Sequence, residues 1–249
     1  TDDFYNTKEG QQKLLTDINA RYRNVFNTGE LQYYGTDIYM AISEEPAERM
    51  FNGYDKTFNS TAPVVGDYWK VLYKIVQESN ILLNRCTPAI AGNDYTSLTA
   101  QARFFRAMAY YYLVETFGPV PLLVEENTDV IQQAERTSEQ AIYTFIITEL
   151  NAIKDQLDMT TNSAGKVTNA AVIHFLGKMY LTRAYKSFAE ANDFSEAATT
   201  FDLLIENPSS GYALQENFAA LFDENNQANS EVIWAIQYGL DKNYRGGGN

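Results

Sequence analysis

The sequence has one cysteine, Cys86, and one histidine, His174. A lone cysteine excludes an intramolecular disulfide and any CxxC zinc or redox motif. A lone imidazole excludes metal sites built on two histidines and leaves His174 as the one base for a Ser-His arrangement. Basic residues are also scarce, with 19 Lys and Arg against 32 Asp and Glu and a net charge of −13. Such a surface repels phosphate backbones and anionic headgroups, so the expectation is no nucleic acid partner and no direct docking on a membrane. The longest apolar run, residues 107–114, falls far short of the ~20 residues that span a bilayer. No GxGxxG, P-loop or GxSxG motif occurs, and nothing points to catalysis, a metal or a cofactor. The opening Thr1-Asp2-Asp3-Phe4 carries no leader signature and reads as a trimmed or mature start.

What is present is a 249-residue chain, 45% hydrophobic, long enough to bury a sizeable core. Aromatics reach 14%, with 18 Tyr and 14 Phe but 2 Trp. Tyrosine pairs an apolar face with a polar tip, which suits helix cores and sugar-stacking surfaces alike.

Apolar residues recur at helical spacing over residues 7–26, with Asn6-x-x-Glu9 as the capping pair and Gly29 as the stop. Residues 30–66 have no clean period and many turn formers, and are expected to be a long inserted loop whose aromatics argue against disorder. A helix is expected over 67–85, where Asn80 sits between apolar neighbours and should bond buried backbone. The stretch 96–117 is apolar nearly all round, as in a central buried helix, and Gly118-Pro119 ends it. Thr137-x-x-Gln140 opens a further helix, Thr168 caps another that runs to about Ser187, and 194–206 and 218–222 follow. Val232-Ile-Trp-Ala-Ile reads as a strand. The fold class is therefore mainly all-α with a little strand near the C-terminus.

Leu176-Gly177-x-x-Tyr180, then Ala197-x-x-x-Phe201 and Pro208, follow the order of a tetratricopeptide repeat, although the interhelix loop is too long. Ala107-x-x-Tyr110 and Ala141-x-x-x-Phe145 are a fainter echo. Tetratricopeptide-like pairing and a nonrepetitive bundle both remain open on this pattern.

Four motifs together resemble the SusD/RagB family of outer-membrane nutrient-binding lipoproteins. Residues 67–80, DYWKVLYKIVQESN, are similar to its W-x-x-x-Y-x-x-I-x-x-x-N helix, and residues 102–121 to its A-R-F-x-R-A-x-x-Y-x-x-L-x-x-x-[YF]-G-x-V-P segment. Gly165-Lys-Val-Thr-Asn-Ala-Ala171 looks like its G-R-x-T-x-x-A-A helix start, and Glu231-Val-Ile-Trp234 like its E-x-I-W strand. The resemblance implies a right-handed tetratricopeptide-like scaffold in a noncatalytic surface lipoprotein. That protein would cap a TonB-dependent transporter of the SusC type and deliver glycans or, in some relatives, peptides. It also implies that residues 1–249 form a single N-terminal helical domain without the family's C-terminal region, and that the membrane is reached through an N-terminal lipid anchor not in this chain. The competing function is a tetratricopeptide adaptor holding a peptide in a concave groove.

Arg103 and Arg106 on the central helix read as structural, bonding carbonyls or a carboxylate at a helix crossing. His174, between Ile173 and Phe175, reads as a core or interface histidine, and Trp69 and Trp234 as packing. Asp223-x-Asn225-x-Gln227-x-Asn229-x-Glu231 alternates oxygen ligands, but it lacks the central glycine of a calcium loop and reads as a solvated turn. The ligand site is therefore expected in the long loop. There Tyr33, Tyr34, Tyr39, Phe51, Tyr54, Phe58 and Tyr68 accompany Asp37, Arg49, Asn52 and Asn59. The chosen residues are Asp37, Tyr39, Arg49, Asn52, Tyr54 and Phe58, with rings to stack on sugar faces and polar groups to bond hydroxyls. The bland alternative is a loop anchored by its own tyrosines.

Overall fold

The computed structural model describes residues 3–27, 30–40, 46–54, 56, 58–129, 133–161, 163 and 165–238. A 3-10 turn, Asp3–Asn6, leads into α1 (Lys8–Asn27), which buries Leu14, Ile18, Tyr22 and Val25 on one stripe. Thr7, not Asn6, caps it, its hydroxyl accepting the Gly10 N–H at 3.1 Å. Gly29 lies outside the described residues. The expected loop contains helical pieces, α2 (Glu30–Tyr33) and α3 (Pro46–Gly53), and α4 (Pro63–Arg85) starts four residues early. Pro63 suits a first helical turn because its missing N–H would be unpaired there anyway. A short α5 (Pro88–Ala91) precedes the central α6 (Tyr95–Phe117). The remaining helices are α7 (Glu139–Ile153), α8 (Asn169–Arg183) and α9 (Asp193–Ile205). Thr168 caps α8 as expected, whereas Ser138 rather than Thr137 caps α7. Thr137 instead pairs its backbone with Val120.

Successive long helices pack antiparallel. Arg21 of α1 meets Glu78 of α4, while Gln11 reaches the Arg85 carbonyl. Trp69 of α4 meets Phe117 of α6, and Asn80 meets Arg106. Tyr110 meets Phe145 of α7, and Glu115 meets Tyr143. In the α8–α9 pair, Arg183 is ion-paired to buried Asp193 at one end, while Ala170, Ile173 and Leu204 cluster at the other. Midway, a Cβ on Gly177 would come within 2.6 Å of the Phe201 ring. These are the tetratricopeptide-order positions, and Gly177 is what lets the Phe201 ring sit against α8. Gly177→Leu should therefore cost about 1–3 kcal/mol by overpacking, and Phe201→Ala should recover part of that loss. Urea unfolding of the two single variants and the double variant checks this, and additive losses would refute the contact.

The segment after α6 is held flat across α4 and α6. Tyr73 donates to Pro121 O at 2.7 Å, Tyr110 donates to Leu123 O at 2.8 Å, and Asn80 Nδ2 donates to Leu123 O and Glu125 O at 3.1 and 2.9 Å. Asn80 thus bonds backbone as the sequence suggests, although the carbonyls it reaches are part-buried rather than buried. Residues 232–236, expected to be a strand, are irregular, with a bend at Ile233, and pair with no strand among the described residues. Side chains hold the segment instead: Trp234 Nε1 donates to Gly165 O at 3.0 Å, and Arg23 Nε donates to Gln237 O at 2.8 Å. Trp234 also packs on Phe104 and Phe105, and Trp69 on Tyr73 and Phe117, so both indoles are packing residues.

Burial pushes the Tyr22, Tyr73, Tyr110, Tyr112 and Tyr143 hydroxyls above the usual 10. The folded state keeps these protons longer than the unfolded state, so their stabilising contribution is intact below pH ~10 and falls as pH rises beyond it. The urea midpoint should hold from pH 8 to about 10 and then drop, and a flat midpoint through pH ~11 would contradict this.

Candidate functional site

The loop expected to hold ligand builds its own small core, separate from the main one. Met50, Phe51 and Ala62 are buried, and Leu31, Tyr34, Phe58, Val64 and Val65 pack around them. Gly35 is the contact that seats the turn on α3. It adopts φ +74°, and a Cβ there would lie 2.5 Å from the Phe51 carbonyl oxygen. Only glycine meets both demands at no steric cost. Tyr54, just past α3 and itself at φ 45°, donates its hydroxyl to the Gly35 carbonyl. Thr36 bridges to Tyr39 and donates its hydroxyl to Tyr33 O at 2.9 Å, closing the turn.

These contacts set a row of rings. Tyr39 stacks on Tyr34 with centroids 5.3 Å apart and planes 12° apart, and Tyr33 lies 6.4 Å from Tyr39. Tyr34 meets Phe51 at 5.9 Å, Phe51 meets Phe58 at 4.9 Å, and Phe58 meets Tyr54 at 6.4 Å. Tyr39, Tyr54 and Phe58 thus belong to one ring cluster. Their situations differ, however. Tyr39 is 52% exposed with Tyr34 beneath it, Tyr54 is exposed with its hydroxyl committed to Gly35, and Phe58 is half-buried against the small core. Asp37 is exposed in the same turn as Tyr39, and Arg49 and Asn52 are exposed at α3. Ile38 and Met40 add exposed apolar surface beside Tyr39.

Tyr33, 55% exposed, joins the outward surface although it was not among the six chosen residues. Of the other loop residues, Tyr68 is buried in α4, and Asn59 folds its own turn, accepting from Thr61 N at 2.8 Å. The loop is therefore both anchored by its own tyrosines and lined with outward ring faces. Tyr54→Phe should loosen the turn without emptying the small core. Loss of that hydrogen bond is worth about 1 kcal/mol, which limits the weakening of any ligand on the Tyr39 face to about fivefold. Faster amide exchange over 33–39 should accompany it, and unchanged exchange would exclude the clamp.

Concave regions lie away from this loop. A polar cleft of about 460 Å³ is lined by Asn80, Asn84, Arg103, Arg106 and Glu126. Its arginines and Glu126 are paired: Arg106 with Glu149 at 2.5 Å and with Asn80 at 2.8 Å, Arg103 with Glu149 at 3.0 Å, and Glu126 with Arg85. Both α6 arginines are structural, as their positions suggest.

His174 is not a core residue. It is exposed at the lip of a groove of about 540 Å³ lined by Phe201, Leu204, Ile205, Tyr212 and Leu214. Consecutive helical residues point ~100° apart, so buried neighbours at 173 and 175 do not bury position 174. The atoms crowding its ring, with the Lys178 ammonium, hold its pKa below the usual 6.5. In the 223–231 segment, Asp223 accepts from Asn225 N and Asn229 from Glu231 N in turn-forming bonds, while Glu231 accepts from Gln215 N and ties the segment to residues 212–215. Among the described residues, no group of three or more His, Cys, Asp or Glu is placed to hold a metal. No described helix is long and apolar enough to cross a membrane.

Comparison with known proteins places this arrangement in a family. Residues 5–181 match the profile of the SusD-like family described as "starch-binding associating with outer membrane". A SusD-like protein of Bacteroides ovatus is 30% identical over 179 residues, covering 68% of this chain and 32% of that protein. The solved structure of a SusD homolog from Bacteroides thetaiotaomicron superposes with a TM-score of 0.80 at 20% identity, over 97% of this chain and 49% of the other. A solved laminarin-binding SusD-like protein gives 0.79 at 24% identity, over 92% and 50%. The chain thus spans about a third of that curated relative and half of those solved structures. With the family profile matched from the first turn into α8, and its A-R-F-x-R-A and G-x-V-P residues forming the buried α6 network and the strap across it, the chain belongs to the SusD-like family.

Proposed function

We propose that this chain is the N-terminal helical part of a noncatalytic, surface-exposed glycan-binding protein that hands its ligand to a TonB-dependent outer-membrane transporter. The observation that carries the reading is the turn 33–39, which presents Tyr33 and Tyr39 outward on a seat fixed by Gly35 and Tyr54. A preformed ring face is inexpensive to bind because it needs little ordering on contact. Sugar rings would stack there, with Asp37, Arg49 and Asn52 as the nearby hydroxyl-bonding groups. Membership of a family described as starch-binding, and a laminarin-binding structural neighbour, support a glycan over other neutral ligands.

The peptide-adaptor reading has less support. The groove along α8 and α9 is apolar, and none of its lining residues is an arginine or lysine. Affinity electrophoresis of this protein in gels containing soluble starch, laminarin or xyloglucan tests the glycan reading. Retardation by at least one polysaccharide is expected, and unaltered migration in all three would overturn it. Copurification with a barrel transporter from outer membranes tests the delivery step separately.

A further inference from the structure

We propose that a cleft between α1, α6, α8 and residues 231–234 binds a small aromatic carboxylate. The site is independent of the glycan-binding reading, because it shares no residue with the ring cluster of the loop. The cleft encloses about 380 Å³, within the range of sites that take small molecules. Five rings line it: Phe26 from α1, Phe104 and Tyr112 from α6, Phe175 from α8, and Trp234. Their mutual packing fixes them before any ligand arrives. Phe26 meets Tyr112 edge-on at 5.4 Å, Phe104 meets Phe175 at 5.7 Å and Trp234 at 5.9 Å, and the indole N–H is tied to Gly165 O. A further planar ring entering between them can set its face against an edge or its edge against a face, the arrangements that aromatic quadrupoles favour.

The polar groups of the cleft are few and mostly donors. His174 and Lys178 lie one turn apart on α8 and so share a face. Lys178 is half-buried, its ammonium rests 5.0 Å from the centre of the Tyr111 ring, and it has no carboxylate partner among the described residues. Burial keeps the Tyr112 hydroxyl protonated, and it too has no hydrogen bond among the described residues. Glu231 lines the opposite wall, but one of its oxygens accepts the Gln215 N–H at 3.0 Å and it makes no ion pair with Lys178. A sugar would set most of its hydroxyls against rings, where an unpaired polar group costs binding. An aromatic carboxylate instead places its ring among rings and its charge at Lys178.

The test compares one aromatic probe with and without charge. Dansylglycine and its neutral amide are titrated by fluorescence anisotropy at about 0.15 M salt, where the screening length is about 8 Å and the distant acids of the chain contribute little. The acid should bind at least about tenfold more tightly than the amide. Lys178→Met should abolish that preference with the helical circular dichroism unchanged, and Lys178→Gln, which keeps a polar tip, should do the same. Glu231→Gln should widen the preference, because it removes the negative charge on the opposite wall. Equal binding of acid and amide by the parent overturns the proposal, and so does a preference that survives both Lys178 substitutions. A preference that narrows in Glu231→Gln overturns the assigned polarity of the cleft. Absence of binding by either probe overturns the proposal as well, and leaves the glycan-binding reading standing.

Discussion

Replacing Glu149 with alanine should lower the unfolding free energy by about 3–5 kcal/mol, the cost of leaving a buried charge without its partner. Glu149 is 6% exposed and neutralises two arginines from α6, taking Arg106 Nη2 at 2.5 Å and Arg103 Nη2 at 3.0 Å. Arg106 is equally buried. Its remaining partners, Asn80 Oδ1 at 2.8 Å and Val124 O at 3.1 Å, are neutral. Without the carboxylate, a guanidinium stays enclosed between α4, α6 and α7 with no counter-charge. Glu149→Gln keeps the shape but not the charge and should cost nearly as much. Arg106→Ala should also destabilise, because it leaves Asn80 Oδ1 without its donor and Glu149 with Arg103 as its one remaining arginine. Urea unfolding of all three variants is the measurement, and a loss below about 1 kcal/mol in Glu149→Ala would show the pair to be worth no more than a surface bridge.

This network is partly legible in the sequence. The arginines sit in a helix apolar nearly all round, where an unpaired cation is untenable, so carbonyl or carboxylate partners had to exist. Their identity was not readable, because Glu149 lies 43 residues from Arg106. Helix positions were legible for a similar reason: burial of one stripe imposes a 3.6-residue period that survives in sequence. Cap residues were less so. Asn6 and Thr7, or Thr137 and Ser138, offer the same hydroxyl or amide chemistry side by side, and the path of the incoming chain decides between them.

The strand expected at 232–236 shows the limit of composition. A β-branched and aromatic run favours extended backbone, yet a ladder needs a neighbouring strand, and here Trp234 and Gln237 are held by Gly165 and Arg23. In the loop, the mix of rings and polar groups was visible, but not which rings face out. That depends on Gly35 touching the α3 backbone, a contact across sixteen residues of chain that no local pattern encodes.

The orientation of those rings leads to the second large effect. Tyr39→Ala should weaken binding of a neutral oligosaccharide by about 2 kcal/mol, about thirtyfold in Kd, as expected when a central aromatic contact is truncated. Its stability should stay within about 0.5 kcal/mol of the parent, because the ring is half-exposed and outside the small core. Tyr39→Phe keeps the face and should bind nearly as well, which separates stacking from hydroxyl bonding. Phe58→Ala makes the contrast. That ring packs on Phe51 at 4.9 Å, so its removal should loosen the seat and lower stability and affinity together. Calorimetric titration paired with thermal unfolding distinguishes the two patterns. Should Tyr39→Ala bind as tightly as the parent while Phe58→Ala still destabilises, the tyrosines of this loop only anchor it, and the ligand face lies elsewhere on the molecule.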